Sequence, residues 1–153
     1  MGAINPKSTA QVKQVLGWFE AAAVTAPVEN ALIITTAGEI YHCTGDLNTL
    51  DSIVELGDKL RGSIVTHNHP LGSANEYSFS DSDLKLFKDY ELAVLRGVDE
   101  RFAYEFNRNP DDVDANDFTL DDVLGDTLGL LSRHIRVIEQ AKTEKFGYRR
   151  RER

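Results

Sequence analysis

The sequence predicts a single α/β domain, a mixed β-sheet flanked by helices with a long helix towards the C-terminus. Three observations carry that expectation. A chain of 153 residues with 41% hydrophobic content can bury one core and is too short for two ordinary ones. Apolar residues at three-to-four spacing alternate along it with short β-branched runs, the pattern of helices laid on a sheet. Ala37-Gly38 separates two of those runs as a hairpin turn would.

Ser8 or Thr9 is placed to cap a first helix, in which Val12, Val15, Leu16, Phe19 and Ala22 or Ala23 recur at helical spacing. It should meet the sheet through Val15, Trp18 or Phe19 and stop at Pro27. Residues 30–36 read as a β-branched strand and 39–43 as its returning partner. Leu50, Ile53, Leu56 and Leu60 predict a second helix over 47–60, weakened at Gly57 and closed by Gly62. Residues 63–66 form the next strand and 70–77 a loop without periodicity. Ser80 then stands as N-cap, with Asp83 at the third position of another helix. Residues 92–98 and 101–106 alternate as paired strands joined around Asp99-Glu100, and 107–117 is an acidic loop.

From Thr119 to about Lys145 a long amphipathic helix ends the fold, with Leu120, Val123, Leu124, Thr127, Leu128, Leu131, Ile135 and Ile138 on one face. Gly125 and Gly129 within it allow close packing, against a second copy of the chain (a homodimer) or a partner protein. The domain is expected to cover residues 1–146, and 147–153 to be a basic, flexible tail, since Lys142 to Arg153 carries six Lys or Arg against two Glu.

A net charge of −8 and a pI near 4.9 repel a phosphate backbone, so nucleic acid is disfavoured as a partner. The N-terminus has no apolar signal core, and no segment approaches the roughly 18 apolar residues of a membrane span, so a cytoplasmic chain with no membrane partner is expected. Cys43 is the one cysteine, which excludes an internal disulfide and a Cys-rich zinc knuckle. It reads as a buried small hydrophobe, while His42 and His134 read as structural. Any metal must be held by His and carboxylate.

The chemistry concentrates in residues 62–84, GSIVTHNHPLGSANEYSFSDSDL. His67 and His69 end an apolar strand, and strand alternation points both imidazoles to the same side. Two nitrogen ligands are thereby aimed at one point, and a catalytic zinc site typically adds a third protein ligand and keeps an open position. Asp83 or Asp81 can supply the third, in the overlapping registers Ser80 to Asp83 and Ser78 to Asp81. The first is preferred because Leu84 and Phe87 then form the buried face of the helix that follows.

His67-Asn-His-Pro followed by Ser-x-x-Asp, with a glutamate upstream, resembles the signature of the JAMM or MPN+ (JAB-domain) zinc metalloproteases. The wording looks most like RadC-type and phage- or toxin-associated bacterial members, over residues 29–86, with a slightly longer loop between His69 and the Asp than the commonest pattern. The resemblance implies a JAB/MPN-like fold and zinc as cofactor, held by His67, His69 and Asp83 with a water completing the tetrahedron. It further implies that Glu29, just before its strand, orients and deprotonates that water, with Glu39 as the reserve, and that Ser80 donates to the oxyanion. The implied activity is hydrolysis of a peptide or isopeptide bond, by analogy in a ubiquitin-like or precursor protein. The alternative is a non-catalytic JAB-fold module that binds a protein partner and keeps a structural or vestigial metal site.

Overall fold

Helix α1 (Thr9–Ala23) begins where the sequence places it, with the Ser8 side chain accepting from the Gln11 backbone N–H. It is the first element of a computed structural model that describes residues 3–47, 50–114 and 130–153. The remaining elements are β1 (Asn30–Ile34), β2 (Ile40–Thr44), a 3₁₀ segment (Asp51–Leu60), β3 (Ile64–Asn68), α2 (Asp81–Asp89), β4 (Val94–Val98), β5 (Phe102–Asn107), β6 (Val113–Asp114), α3 (Leu130–Glu144) and β7 (Gly147–Glu152). Among the described residues the strands make one mixed sheet in the order β2-β1-β3-β4-β5-β7-β6, so the α/β architecture with flanking helices and a C-terminal helix is present. β3–β4 and β6–β7 are parallel and the other pairs antiparallel. No helix among the described residues is long and apolar enough to cross a membrane.

Alternation divides the sheet. Ala31, Ile33, Val65, Leu95, Phe102, Tyr104, Phe106 and Tyr148 join Leu84 and Phe87 of α2 and Val137 and Ala141 of α3 in the main core. Leu32 faces the other way, onto Phe19 and Ala23 of α1. The hairpin closes through Gly38 at φ 83°, where a Cβ would sit 1.9 Å from the Ile4 carbonyl oxygen, so the turn needs glycine for both conformation and space.

Helix α1 is also fastened by charge. Arg96 on β4 makes two hydrogen bonds to the Glu20 carboxylate, at 2.7 and 2.8 Å, and a third to Glu105 at 3.0 Å, while Thr66 donates to Glu20 at 2.6 Å. Removing one partner of so enclosed a pair strands the other. Arg96→Ala is expected to cost about 3 kcal/mol, read as a lowered denaturant midpoint, and a loss within about 0.5 kcal/mol would show the pair to be incidental.

Several expectations are corrected. Of the residues expected to meet the sheet, Phe19 is buried and Val15 packs beside it, but Trp18 is 66% exposed; Leu16, Glu20 and Ala23 complete the buried face of α1. Residues 51–60 form 3₁₀ turns rather than an α-helix, kinked at Gly57, which has non-helical φ 55°, ψ −130°. Residues 107–114 contain β6 within the expected loop. The helix expected over 119–145 is described only as α3; its proposed positions 119–129, with Gly125 and Gly129, lie outside the described residues. On α3 the buried side chains include His134, Val137 and Ala141, whereas Ile135 is 41% exposed.

Nor does that helix end the fold, and 147–153 is not a flexible tail. β7 pairs antiparallel with β5 along its whole length. Its period of two was hidden beneath its charge: Tyr148 and Arg150 are buried, with Arg150 stacked 3.8 Å from the Phe102 ring centroid, and Arg149 pairs with Asp112 at 3.1 Å.

Candidate functional site

The site grows from the end of β3. His67 and His69, two residues apart, turn to the same side, and their Nε2 atoms lie 3.0 Å apart, both side chains buried. Asn68 between them points away and works on the backbone. Its amide donates to the Val28 carbonyl at 3.0 Å and its Oδ1 accepts from the Asn30 N–H at 2.6 Å, gripping the chain on both sides of Glu29. The Glu29 backbone is held further by its N–H to Asp46 and by its carbonyl to Gly45. The buried Glu29 carboxylate thus stands 3.9 Å from His69 Nε2.

Helix α2 delivers the second carboxylate. Ser80 and Asp83 form a reciprocal capping box, the Ser80 hydroxyl accepting from the Asp83 N–H and Asp83 Oδ2 accepting from the Ser80 N–H. The same carboxylate reaches 3.2 Å from His67 Nε2 and 3.1 Å from His69 Nε2. Leu84 and Phe87 are buried just after it, as the preferred register requires. Asp81 is excluded from the cluster: its side chain is 89% exposed and faces Arg136. Glu39 lies at the turn end of the hairpin, where it accepts from the Tyr41 hydroxyl, whereas β1 pairs with His67 at its opposite end.

Glu29, His67 and His69 offer ligand atoms within 4.8 Å of one another, a group that could hold a metal ion. Asp83 lies closer to the two imidazoles, with Oδ1 3.2 Å from His67 Nε2 and Oδ2 3.1 Å from His69 Nε2. Both Nδ1 atoms are engaged elsewhere, His67 with the Arg96 carbonyl and His69 with the Tyr104 hydroxyl, each at 2.7 Å. The donor set therefore fits a cation with Nε2 ligation.

Electrostatics agree. Burial by itself would lower the His67 pKa, but Asp83, then Glu29 and the Arg96 carbonyl, raise it to about 9, so a proton occupies the place of a cation. Burial lowers the His69 pKa and keeps that imidazole neutral. Burial would raise Asp83, but the charge of His67 and hydrogen bonds from both imidazoles hold it well below the usual carboxylate range. Burial, with a contribution from Asp83, lifts Glu29 to about 7 against the opposing charge of His67.

A stability profile follows for the metal-free chain. Both raised groups favour the folded state at low pH: His67 contributes fully below about 6.5 and loses its contribution as pH rises through about 9, and Glu29 does the same between about 4.5 and 7. Under chelation, stability is expected to fall by about 3 kcal/mol between pH 6.5 and 9. His67→Gln should flatten that limb of the denaturant-midpoint profile, and an equal fall in the variant would assign the loss to other groups.

Beside the cluster a cavity of about 280 Å³ opens, lined by Glu29, His67, Ser80 and Asp83 and walled by apolar side chains including Leu50 and Ile53. Ser80 accepts from a backbone N–H and keeps its hydroxyl hydrogen to donate into that space. Cys43 is half-buried with its thiol pushed up by burial, unlike an activated nucleophile. Buried His134 meets the Tyr148 hydroxyl at 2.7 Å, a structural contact.

Sequence reasoning missed Asn68, Asp99 and Tyr104. The Asn68 signal was local, a polar residue inside an apolar strand. Tyr104 and Asp99 looked like an ordinary strand aromatic and a turn acid, and only the sheet order brings them to His69. Compared with known proteins, the chain matches no family model, no curated protein and no solved structure.

Proposed function

We propose that the chain is a zinc-dependent metallopeptidase of the JAMM type, on a JAB/MPN-like fold, that hydrolyses a peptide or isopeptide bond in a protein substrate. The observation that carries this reading is the convergence of His67 Nε2, His69 Nε2 and Asp83 on one point, with the Glu29 carboxylate beside it and a cavity in front. His67, His69 and Asp83 would hold the metal, which supplies a Lewis acid able to make water acidic near neutral pH. Glu29, a buried carboxylate beside the cluster, is placed to accept a proton from water and return it to the leaving nitrogen. The Ser80 hydroxyl, fixed by the capping box, can donate to the oxygen that gains charge when the carbonyl is attacked. The apolar wall provides a place for a substrate side chain and lowers the local dielectric in which these groups act.

The test begins with metal content of the purified chain, followed by cleavage of peptide and ubiquitin-like fusion substrates. About one zinc per chain, with cleavage stopped by a chelator and restored by zinc, is the expected result. Absence of zinc after reconstitution, or cleavage that persists under chelation, would overturn the proposal. Zinc without cleavage would favour a module that binds its partner without cutting it.

A further inference from the structure

Ala31, His67, Gly97, Tyr104 and Arg150 are successive cross-strand partners on β1, β3, β4, β5 and β7, so their side-chain positions share one face of the sheet. His69 continues past β3, with its N–H bonded to the Val98 carbonyl at 2.8 Å. The row has a gap at Gly97, and Tyr104 uses it. A Cβ on Gly97 would lie 2.3 Å from Tyr104 Cε2, so the missing side chain gives the ring its place over β4. From there the Tyr104 hydroxyl reaches His69 Nδ1 at 2.7 Å.

Behind Tyr104 stands Asp99. It is buried, and its carboxylate accepts from three backbone N–H groups, those of Tyr77 at 2.7 Å, Arg101 at 2.8 Å and Phe102 at 2.7 Å. Burial, then the Asp99 charge, push the Tyr104 hydroxyl well above the usual phenol range. At 2.7 Å from Nδ1 that hydroxyl holds the His69 ring with Nε2 turned towards Asp83 and Glu29.

We infer that Tyr104, beside Asp99, is a positioning residue that fixes His69 in the ring orientation of a metal ligand. The inference rests on the metal reading of the cluster. His67 has a backbone carbonyl for the same task, so the two ligands are oriented by different means, one by the sheet ladder and one by a side-chain hydroxyl.

The test uses the full chain and needs no substrate. Zinc affinity is measured by competition with a chelator of known strength, and cobalt(II) bound in place of zinc is followed by its visible absorption, for wild type, Tyr104→Phe, Asp99→Asn and Tyr148→Phe. Tyr104→Phe keeps the ring and removes the hydroxyl. Asp99→Asn keeps the size of the side chain and removes the charge beside Tyr104. Both are expected to bind zinc about 10–100-fold more weakly and to shift the cobalt spectrum. Tyr148→Phe removes a different buried hydroxyl, one bonded to Ser78 and His134, and is expected to keep wild-type affinity and spectrum. Should Asp99→Asn fail to fold, Tyr104→Phe decides. Affinity within twofold of wild type and an unchanged spectrum in Tyr104→Phe would overturn the inference while leaving the metal site standing. Equal weakening in Tyr148→Phe would overturn it by reducing the effect to loosened packing. A wild-type chain that binds neither metal would overturn both the inference and the metal reading beneath it.

Discussion

Glu29→Gln is expected to lower peptide hydrolysis by about 10²–10⁴-fold in kcat while metal content stays at the wild-type level. The amide keeps the size of the carboxylate and loses its capacity to take a proton. The backbone around position 29 is gripped through Val28, Asn30, Gly45 and Asp46, so the substitution should change the chemistry without moving the chain. KM should change little, because the lost group acts on water. An equal loss of zinc in Glu29→Gln would make Glu29 a ligand and transfer the base to another group, a result that metal analysis and kinetics together would show. Glu39→Gln, at the far end of the hairpin, should retain activity.

Replacing His67 and His69 together by Ala is expected to reduce bound zinc from about one per chain to less than about a tenth. Both imidazoles disappear, and the carboxylates that remain would hold zinc far more weakly. The wild-type chain should gain about 4 kcal/mol of stability at a metal concentration a thousand times its dissociation constant, and the double variant none. Unfolding midpoints with and without zinc read this directly. A variant that still gained stability from zinc would place the metal elsewhere.

The approach of His67, His69 and Asp83 to one another was legible in the sequence because each placement depends on local geometry. Two histidines in i, i+2 positions on a strand must share a side, and Ser80 with Asp83 at the start of a helix must form a cap, whatever the rest of the chain does. Glu29 could be chosen over Glu39 only on its place before the strand, and the β1–β3 register supplies the reason. What stayed hidden depended on non-local pairing. The basic run 147–153 was read by charge, and its alternation acquires meaning only when Phe102, Tyr104 and Phe106 lie alongside it. Likewise, nothing near Glu20 announces that a β4 arginine, 76 residues away, will neutralise it. Trp18 has helical spacing with the buried positions, but the apolar face of α1 is narrow and turns it outward.

The shared use of Asp83 makes the first turn of α2 part of the histidine–carboxylate cluster. One oxygen, Oδ2, both accepts the Ser80 N–H at 2.9 Å and meets His69 at 3.1 Å, so the helix cannot fray at this end without withdrawing that carboxylate from the cluster. Linkage runs in both directions: a cation held here would tighten the end of α2, and any partner that unwinds that turn would loosen the cation by the same free energy. Amide hydrogen exchange at residues 81–84 would then serve as a reporter of occupancy, slow when the site is filled and fast when it is emptied. With a cation bound, a helix cap, ordinarily a device for ending a secondary structure, would serve as a latch whose state can be read from outside.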